Sequence, residues 1–93
     1  MMKLIWTKHA VQRGYMRLGR YGMDTIESKI RKNINRAKPN KERNTALIPF
    51  KIGRKKCVAV VLPEGENGRV GIIKSLYTIS DEKHRAIFSK NKS

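Results

Sequence analysis

Residues 45–79, "TALIPFKIGRKKCVAVVLPEGENGRVGIIKSLYTI", predict three β-strands joined by two turns. Apolar residues at every second position of the first stretch indicate a strand with one buried face. That face carries Ala46, Ile48, Phe50 and Ile52. Pro49 favours an edge strand or a bulge, because proline cannot donate to a ladder. The middle stretch, "CVAVVL", is apolar on both faces, as a central strand is. The turns are "GRKK" and the longer loop "PEGENG", and "RVGIIKSLYTI" is the third strand.

Side chains along the third strand alternate between the two faces of the sheet. We expect Val70, Ile72 and Leu76 to face the core. The open face would carry Arg69, Gly71, Ser75 and Tyr77. A hydroxyl and a phenol on an open face can bind a phosphate and stack on a base, although a strand tyrosine more commonly serves packing. Lys74 has the parity of the core face, so its ammonium should extend to the sheet edge.

Two helices are predicted before these strands. Thr7 is a candidate N-cap for a helix over residues 8–20, after a short possible strand at "KLIW" (residues 3–6). Asp24 would begin the second helix, with Glu27 three residues later completing a capping box. The apolar stripe of the second helix consists of Ile26, Ile30, Ile34 and Ala37.

These elements predict an α+β fold in which two N-terminal helices pack on a three- to four-stranded antiparallel sheet. At 93 residues the chain is expected to form one domain, with an ordered core over about residues 3–88. Residues 38–44 should be a mobile polar connection. "SDEKHRAIF" (80–88) suggests a short helix, and residues 89–93 should fray.

Charge is the dominant feature of the composition. The chain has 22 Lys and Arg against 7 Asp and Glu, for a net charge of +15. Residues 1–62 alone have 16 basic and 3 acidic side chains, a net charge of +13. Such an excess predicts a polyanionic partner. Nucleic acid is the expected partner. A membrane partner is not expected, because the basic helices lack the large apolar face of an interfacial helix.

Other sequence features narrow the class of protein. No apolar run reaches the roughly 20 residues of a membrane span, and the N-terminal stretch does not resemble a signal peptide. The single cysteine, Cys57, lies in an apolar run, which favours a buried side chain over a nucleophile. No His/Cys cluster has metal-ligand spacing. We therefore expect a cytoplasmic protein without a metal or another cofactor.

Histidine and arginine recur at helical spacing in the first helix. His9, Arg13, Arg17 and Arg20 lie within about 80° on a helical wheel. Val11, Tyr15 and Leu18 lie on the opposite side. A histidine beside fixed cations can exchange a proton with RNA while an arginine stabilises charge on the phosphate. The same four residues are also typical of a solvated ridge that only touches phosphates.

Further basic residues are candidates for contacts with the nucleic-acid backbone. They are Arg17, Arg20, Lys29, Lys32, Arg36, Arg54, Lys55, Lys56 and Lys74.

"HAVQRGYMRLGRYGM" (residues 9–23) resembles the H-A-x-x-R opening of small toxin-like proteins in the RelE/BECR nuclease superfamily, and "GIIKSLY" (71–77) resembles their terminal strand. The resemblance implies a metal-independent endoribonuclease with His9 as acid or base and Arg13 as electrophilic stabiliser. It also implies that Ser75 and Tyr77 position the substrate. Extra residues follow Arg13, so either Arg17 or Arg20 can match the second arginine of the family.

The expected function is therefore RNA cleavage by attack of the 2′-hydroxyl, in a toxin that pairs with a small acidic antitoxin or immunity-type protein. His9, in the first turn of its helix and one turn from Arg13, should hold a neutral imidazole ready to accept a proton. One alternative is a non-catalytic RNA- or DNA-binding protein. Another is a protein with the toxin fold that binds and inhibits an acidic protein.

Overall fold

The structure is a computed structural model that describes residues 3–40, 44–80 and 82. In chain order the elements are β1 (Lys3–Trp6), α1 (Lys8–Leu18), α2 (Met23–Lys32), a 3₁₀ turn (Ile34–Arg36), β2 (Lys38–Asn40), β3 (Thr45–Ile52), β4 (Lys55–Glu64), a second 3₁₀ turn (Glu66–Gly68) and β5 (Val70–Ile79). The predicted α+β class with two helices is confirmed. Most of the C-terminal helix predicted at 80–88 lies outside the described residues, as do His84 and residues 89–93.

Within residues 3–40 and 44–80 the sheet has five strands, in the order β1-β5-β4-β3-β2. The prediction of three to four antiparallel strands was wrong, because β1 pairs in parallel with β5 and β2 adds a further strand. After β1 the chain passes through the two helices to β2, at the far edge of the sheet. Strands β3, β4 and β5 then follow in order back across the sheet, which places β5 beside β1. Residues 38–40, predicted as part of a connection, pair with residues 45–47 as β2. Sequence periodicity does not reveal a three-residue edge strand that contains Pro39.

The helix α1 begins at the predicted N-cap, where Thr7 Oγ1 accepts a hydrogen bond from the Ala10 amide at 3.1 Å. Its buried residues are Ala10, Gly14 and Leu18. Tyr15, assigned to the apolar side, is instead 62% exposed. Small residues form the contact with the sheet because they let the helix backbone approach it closely. The basic face consequently lies beside the buried stripe and not opposite to it.

The helix α2 begins one residue before Asp24, with Gly22 at the N-cap and no side-chain cap. The predicted capping box is therefore wrong. Glu27 instead accepts hydrogen bonds from Trp6 Nε1 at 2.9 Å and from Arg31 Nη2 at 3.2 Å. Ile26 and Ile30 of the predicted stripe are confirmed as buried residues of the helix. Because α2 ends at Lys32, Ile34 and Ala37 instead pack against the core from beyond the helix. Trp6 thus joins β1 to α2.

A β-bulge at Lys74 sets the faces of β5. Val60 pairs with Ser75 and Val61 pairs with Ile73, so Lys74 is an extra residue in the ladder. Before the bulge the core face carries Ile73, which is fully buried, and after it Leu76. The assignment of Val70 and Ile72 to the core was wrong; both are half-buried on the other side. Gly71, assigned to the open face, is buried. Ser75 and Tyr77 do lie opposite to Leu76.

The β3–β4 hairpin turns at Gly53 and Arg54, between the paired residues Ile52 and Lys55. Gly53 has a φ of +59°, a left-handed conformation that favours glycine at the first position of a two-residue turn. Pro49 lies beyond the end of β2, on the stretch of β3 with no outer neighbour among the described strands. A proline is compatible with this position, because no described strand on that side needs a hydrogen bond from its backbone nitrogen.

The core lies between the helices and one face of the sheet. Its members are Leu4, Ala10, Leu18, Ile26, Ile30, Ile48, Phe50, Ile52, Cys57, Ala59, Val61, Ile73 and Leu76. Both helices contribute to this one cluster, and among the described residues neither helix covers the other face of the sheet, which we call the open face. Ser75 and Tyr77 lie on that open face.

Adjacent isoleucines test the position of the bulge. Ile73→Ala should lower the free energy of unfolding by about 2–5 kcal/mol, because it empties a fully buried site. Ile72→Ala should cost distinctly less, since its side chain is only half-buried. Urea denaturation of the two variants measures both losses. Equal costs, or a larger cost at Ile72, would contradict the placement of the extra residue at Lys74.

Cys57 provides a second test of the core. Burial raises the pKa of its thiol to about 11, although nearby Lys55 acts in the lowering direction. Because the thiolate is the reactive form, a raised pKa and full burial should make native Cys57 slow to react with a thiol-specific disulfide reagent at neutral pH. Denaturant should release one reactive thiol per chain. Rapid stoichiometric reaction of the native protein would contradict this.

Candidate functional site

A cleft of about 560 Å³ lies on the open face of the sheet. Its lining residues are His9, Asn40, Thr45, Leu47, Val60, Lys74, Ser75 and Tyr77. We call these eight residues the open-face cleft. Three of the four predicted catalytic residues, His9, Ser75 and Tyr77, belong to it, and so does Lys74. They come from opposite ends of the chain, and the fold brings them together.

The floor of the open-face cleft is one row of side chains across three strands. Ser75 on β5 pairs with Val60 on β4, and Val60 pairs with Leu47 on β3. Paired residues present their side chains to the same face, so the serine hydroxyl lies beside an apolar platform. Tyr77 follows two residues after Ser75 and pairs with the buried Val58. The platform has the combination of apolar surface and polar groups that a base and its sugar need.

Thr7 positions His9 relative to this row. Its hydroxyl donates to the Ile73 carbonyl oxygen at 2.8 Å. The Thr7 hydroxyl oxygen is also the acceptor that caps α1. Ile73 is the last residue before the bulge. The first turn of α1 is thereby tied to β5 at the point where Lys74 and Ser75 leave the regular ladder. This anchor also sets the position of His9, which lies two residues after Thr7.

His9 is also hydrogen-bonded to Arg13, the fourth predicted catalytic residue. Arg13 Nε donates to His9 Nε2 at 3.3 Å, across one turn of α1. An arginine only donates, so Nε2 is the acceptor nitrogen of the ring in this arrangement. Arg13 does not line the open-face cleft, but it contacts the histidine that does. The pair therefore combines a proton acceptor with a permanent cation.

The other two arginines of the predicted ridge have different surroundings, and Arg20 lies beyond the end of α1 at Leu18. Arg17 is half-buried, its Nε is buried without a hydrogen-bond partner among the described residues, and its carbonyl oxygen accepts from Lys55 Nζ at 3.1 Å. Arg20 is exposed. Neither lines the open-face cleft. The predicted ridge of four residues is thus divided, with His9 in the cleft, Arg13 bonded to His9, and Arg17 and Arg20 farther along the chain.

Two further polar groups of the open-face cleft have unusual environments. Burial raises the pKa of the Tyr77 phenol, so its hydroxyl keeps its proton at neutral pH. Thr45 Oγ1 is buried and has no hydrogen-bond partner among the described residues. The Tyr77 phenol can therefore hold a ligand by a hydrogen bond.

A second cleft, of about 380 Å³, lies where α2 meets the outer edge of β3. Its lining residues are Lys29, Lys32, Asn33, Arg36, Pro49, Phe50, Lys51 and Lys56. We call these eight residues the basic cleft. Four of the predicted backbone-binding residues meet here. Arg54 and Lys55, at the hairpin turn, line neither cleft.

Sequence reasoning missed some of these residues. Asn40 and Thr45 flank the stretch predicted as a mobile connection, and nothing in the sequence linked them to a site. Leu47 and Val60 were interpreted only as strand residues. Lys51 had a usable signal, because the alternation of β3 turns it away from the core and the hairpin places it opposite Lys56.

No group of three or more potential ligands (His, Cys, Asp or Glu) that could hold a metal ion occurs among the described residues. Within the same part of the chain, no helix combines the length and apolarity needed to cross a membrane. No family model matches the chain, and neither a curated protein nor a solved structure shows a match to it.

Proposed function

We propose that this protein is a metal-independent endoribonuclease, toxin-like and of the RelE/BECR type, acting in the cytoplasm on RNA bound in the open-face cleft. The proposal is carried by one observation, the meeting of His9 with Ser75 and Tyr77 in that cleft. A proton acceptor, a hydroxyl, a phenol and the Lys74 ammonium line one space. That set matches the needs of phosphodiester cleavage by a neighbouring hydroxyl.

The proposed reaction is an internal displacement at phosphorus. His9 Nε2 takes the proton of the 2′-hydroxyl, the 2′-oxygen bonds to phosphorus, and the bond to the 5′-oxygen breaks. The leaving 5′-oxygen takes a proton from Lys74, the cationic donor of the open-face cleft. The products are a 2′,3′-cyclic phosphate and a free 5′-hydroxyl. Solvent restores the proton to Lys74 and removes the proton from the His9 imidazolium.

The remaining groups hold the substrate and stabilise charge. The 2′-hydroxyl replaces Arg13 as the donor to His9 Nε2, which frees the guanidinium to contact the phosphate oxygens. Ser75 and Tyr77 position the phosphate and sugar. Because its pKa is raised, Tyr77 serves as a hydrogen-bond donor and not as a base. Donors aimed at developing charge are worth most where water is partly excluded.

The first test is RNA cleavage by the His9→Ala variant. Loss of one acid–base group should slow single-turnover cleavage at saturating protein by about 10²–10⁴-fold, with EDTA present throughout. Affinity for a 2′-O-methyl oligonucleotide, which lacks the attacking hydroxyl, should change only a few-fold. The control is Arg20→Ala, exposed and away from the open-face cleft. It should weaken binding and reduce its salt dependence, but slow the bound-state step little.

Equal, modest losses in both variants would mean that the helix face only binds phosphates. The chain would then be a non-catalytic nucleic-acid-binding protein. No cleavage by the wild type, together with tight capture of a small acidic antitoxin-like protein, would favour the inhibitor alternative. Mapping the ends of cut RNA distinguishes the proposed products from those of a contaminating nuclease.

The second test isolates the Tyr77 hydroxyl. Tyr77→Phe keeps the ring against Val58 and removes only the phenolic donor. If that donor bonds to charged phosphate oxygen, its loss should cost roughly 1.5–3 kcal/mol of transition-state stabilisation, about 10- to 150-fold in rate. Thermal unfolding should shift little. An unchanged cleavage rate in a folded variant would remove Tyr77 from the site.

A further inference from the structure

The basic cleft concentrates positive charge in a small space. Among the described residues that line it, five of eight are cationic and none is acidic. The five are Lys29, Lys32, Arg36, Lys51 and Lys56. Lys51 and Lys56 also stand directly opposite each other in the β3–β4 ladder. Like charges at directly opposite positions are unfavourable in a sheet.

The basic cleft and the open-face cleft meet along β3. Leu47 lines the open-face cleft, and Pro49 lines the basic cleft. The two are separated by one residue and face the same side of the strand, so their Cα atoms are about 7 Å apart. At the duplex spacing of about 3.4 Å per nucleotide, two nucleotides cover that distance, and an extended strand needs fewer. The pairing of β2 stops at Leu47, which leaves the edge of β3 uncovered by β2 from Ile48 onward.

We infer that the basic cleft binds the sugar–phosphate backbone of an unpaired RNA strand that continues out of the open-face cleft. The substrate class is therefore single-stranded RNA that extends beyond the scissile bond. The inference rests on the proposed function for the chemistry at that bond. An unpaired strand can turn from the sheet face to its edge within a few nucleotides. Nucleic-acid duplexes are far too stiff for this, with persistence lengths of about 150 base pairs in DNA.

The lining of the basic cleft favours nucleic acid over an acidic protein. Protein partners gain most of their affinity from apolar or aromatic anchors that fill pockets. The apolar residues here, Pro49 and Phe50, are themselves buried, and Phe50 is only 3% exposed. The accessible groups are cations and the Asn33 amide. These groups suit a regular series of phosphates.

The experiment measures binding without cleavage. A fluorescent 2′-O-methyl RNA of about twelve nucleotides, within the range of known single-strand site sizes, is titrated at several KCl concentrations. Lys51→Gln and Lys32→Gln should each reduce the slope of log K against log salt by about 0.7, the loss of one phosphate contact to a single strand. Both side chains are exposed, and circular dichroism checks that both variants fold.

Lys3→Gln is the matched control. Lys3 is exposed on β1, at the opposite edge of the sheet from β2 and β3. Its slope should equal that of the wild type. A blunt duplex of the same sequence should bind more weakly than the single strand, and an acidic peptide of equal charge should compete poorly.

Three results would overturn the inference. They are equal slopes for Lys51→Gln, Lys32→Gln and Lys3→Gln, duplex binding as tight as single-strand binding, and effective competition by the acidic peptide. Because the probe cannot be cleaved, the two proposals fail separately. If the wild type cleaves RNA but the slope is unchanged in Lys51→Gln and Lys32→Gln, only the role of the basic cleft is contradicted. If the slope is reduced but ordinary RNA is not cleaved, the endoribonuclease proposal is contradicted and the basic cleft remains a site for single-stranded RNA.

Discussion

The Thr7 hydroxyl makes two hydrogen bonds on which the arrangement of the site depends. It accepts from the Ala10 amide, which satisfies the start of α1, and it donates to the Ile73 carbonyl oxygen on β5. The Thr7 amide donates to the same carbonyl at 3.2 Å. A helix start is thus attached to the central part of the sheet, immediately before the bulge. Because Ala10 and Gly14 are small, the rest of α1 then lies close against β5.

This attachment links the fold to the chemistry. Both helices cover one face of the sheet, and the row formed by Leu47, Val60 and Ser75 remains accessible on the other. His9 lies at the boundary between the covered and open faces because it is in the first turn of α1. The bulge changes the parity of β5, so that Ser75 and Tyr77 share the face of the open-face cleft while Ile73 and Leu76 fill the core. One extra residue therefore serves both packing and the site.

Charge limits how such a small domain can be stabilised. The first 62 residues contain three acidic side chains, and one of them, Glu27, accepts hydrogen bonds from both Trp6 and Arg31. It joins β1 to α2 as well as offsetting positive charge. The facing pair of Lys51 and Lys56 adds local repulsion to the general excess. A polyanion that binds only the folded chain would stabilise it by mass action, which ties the stability of the domain to its ligand.

The sequence by itself determined the elements whose signals are local. The Thr7 cap, the stripe of Ile26 and Ile30, the alternation of β3 and the burial of Cys57 depend on residues within a few positions of one another. Local signals also grouped His9 with Arg13, and Ser75 with Tyr77. Only the tertiary structure decided the parallel pairing of β1, the strand at residues 38–40 and the bulge at Lys74. Each of these depends on hydrogen bonds between segments far apart in the chain. A single bulged residue reverses the face to which the following side chains of a strand belong, and the local sequence pattern does not show where the bulge lies. The joining of the two local groups into one cleft, and of Lys51 with the cations of α2, has the same cause: periodicity places a side chain on its own element, and only packing places the elements against one another.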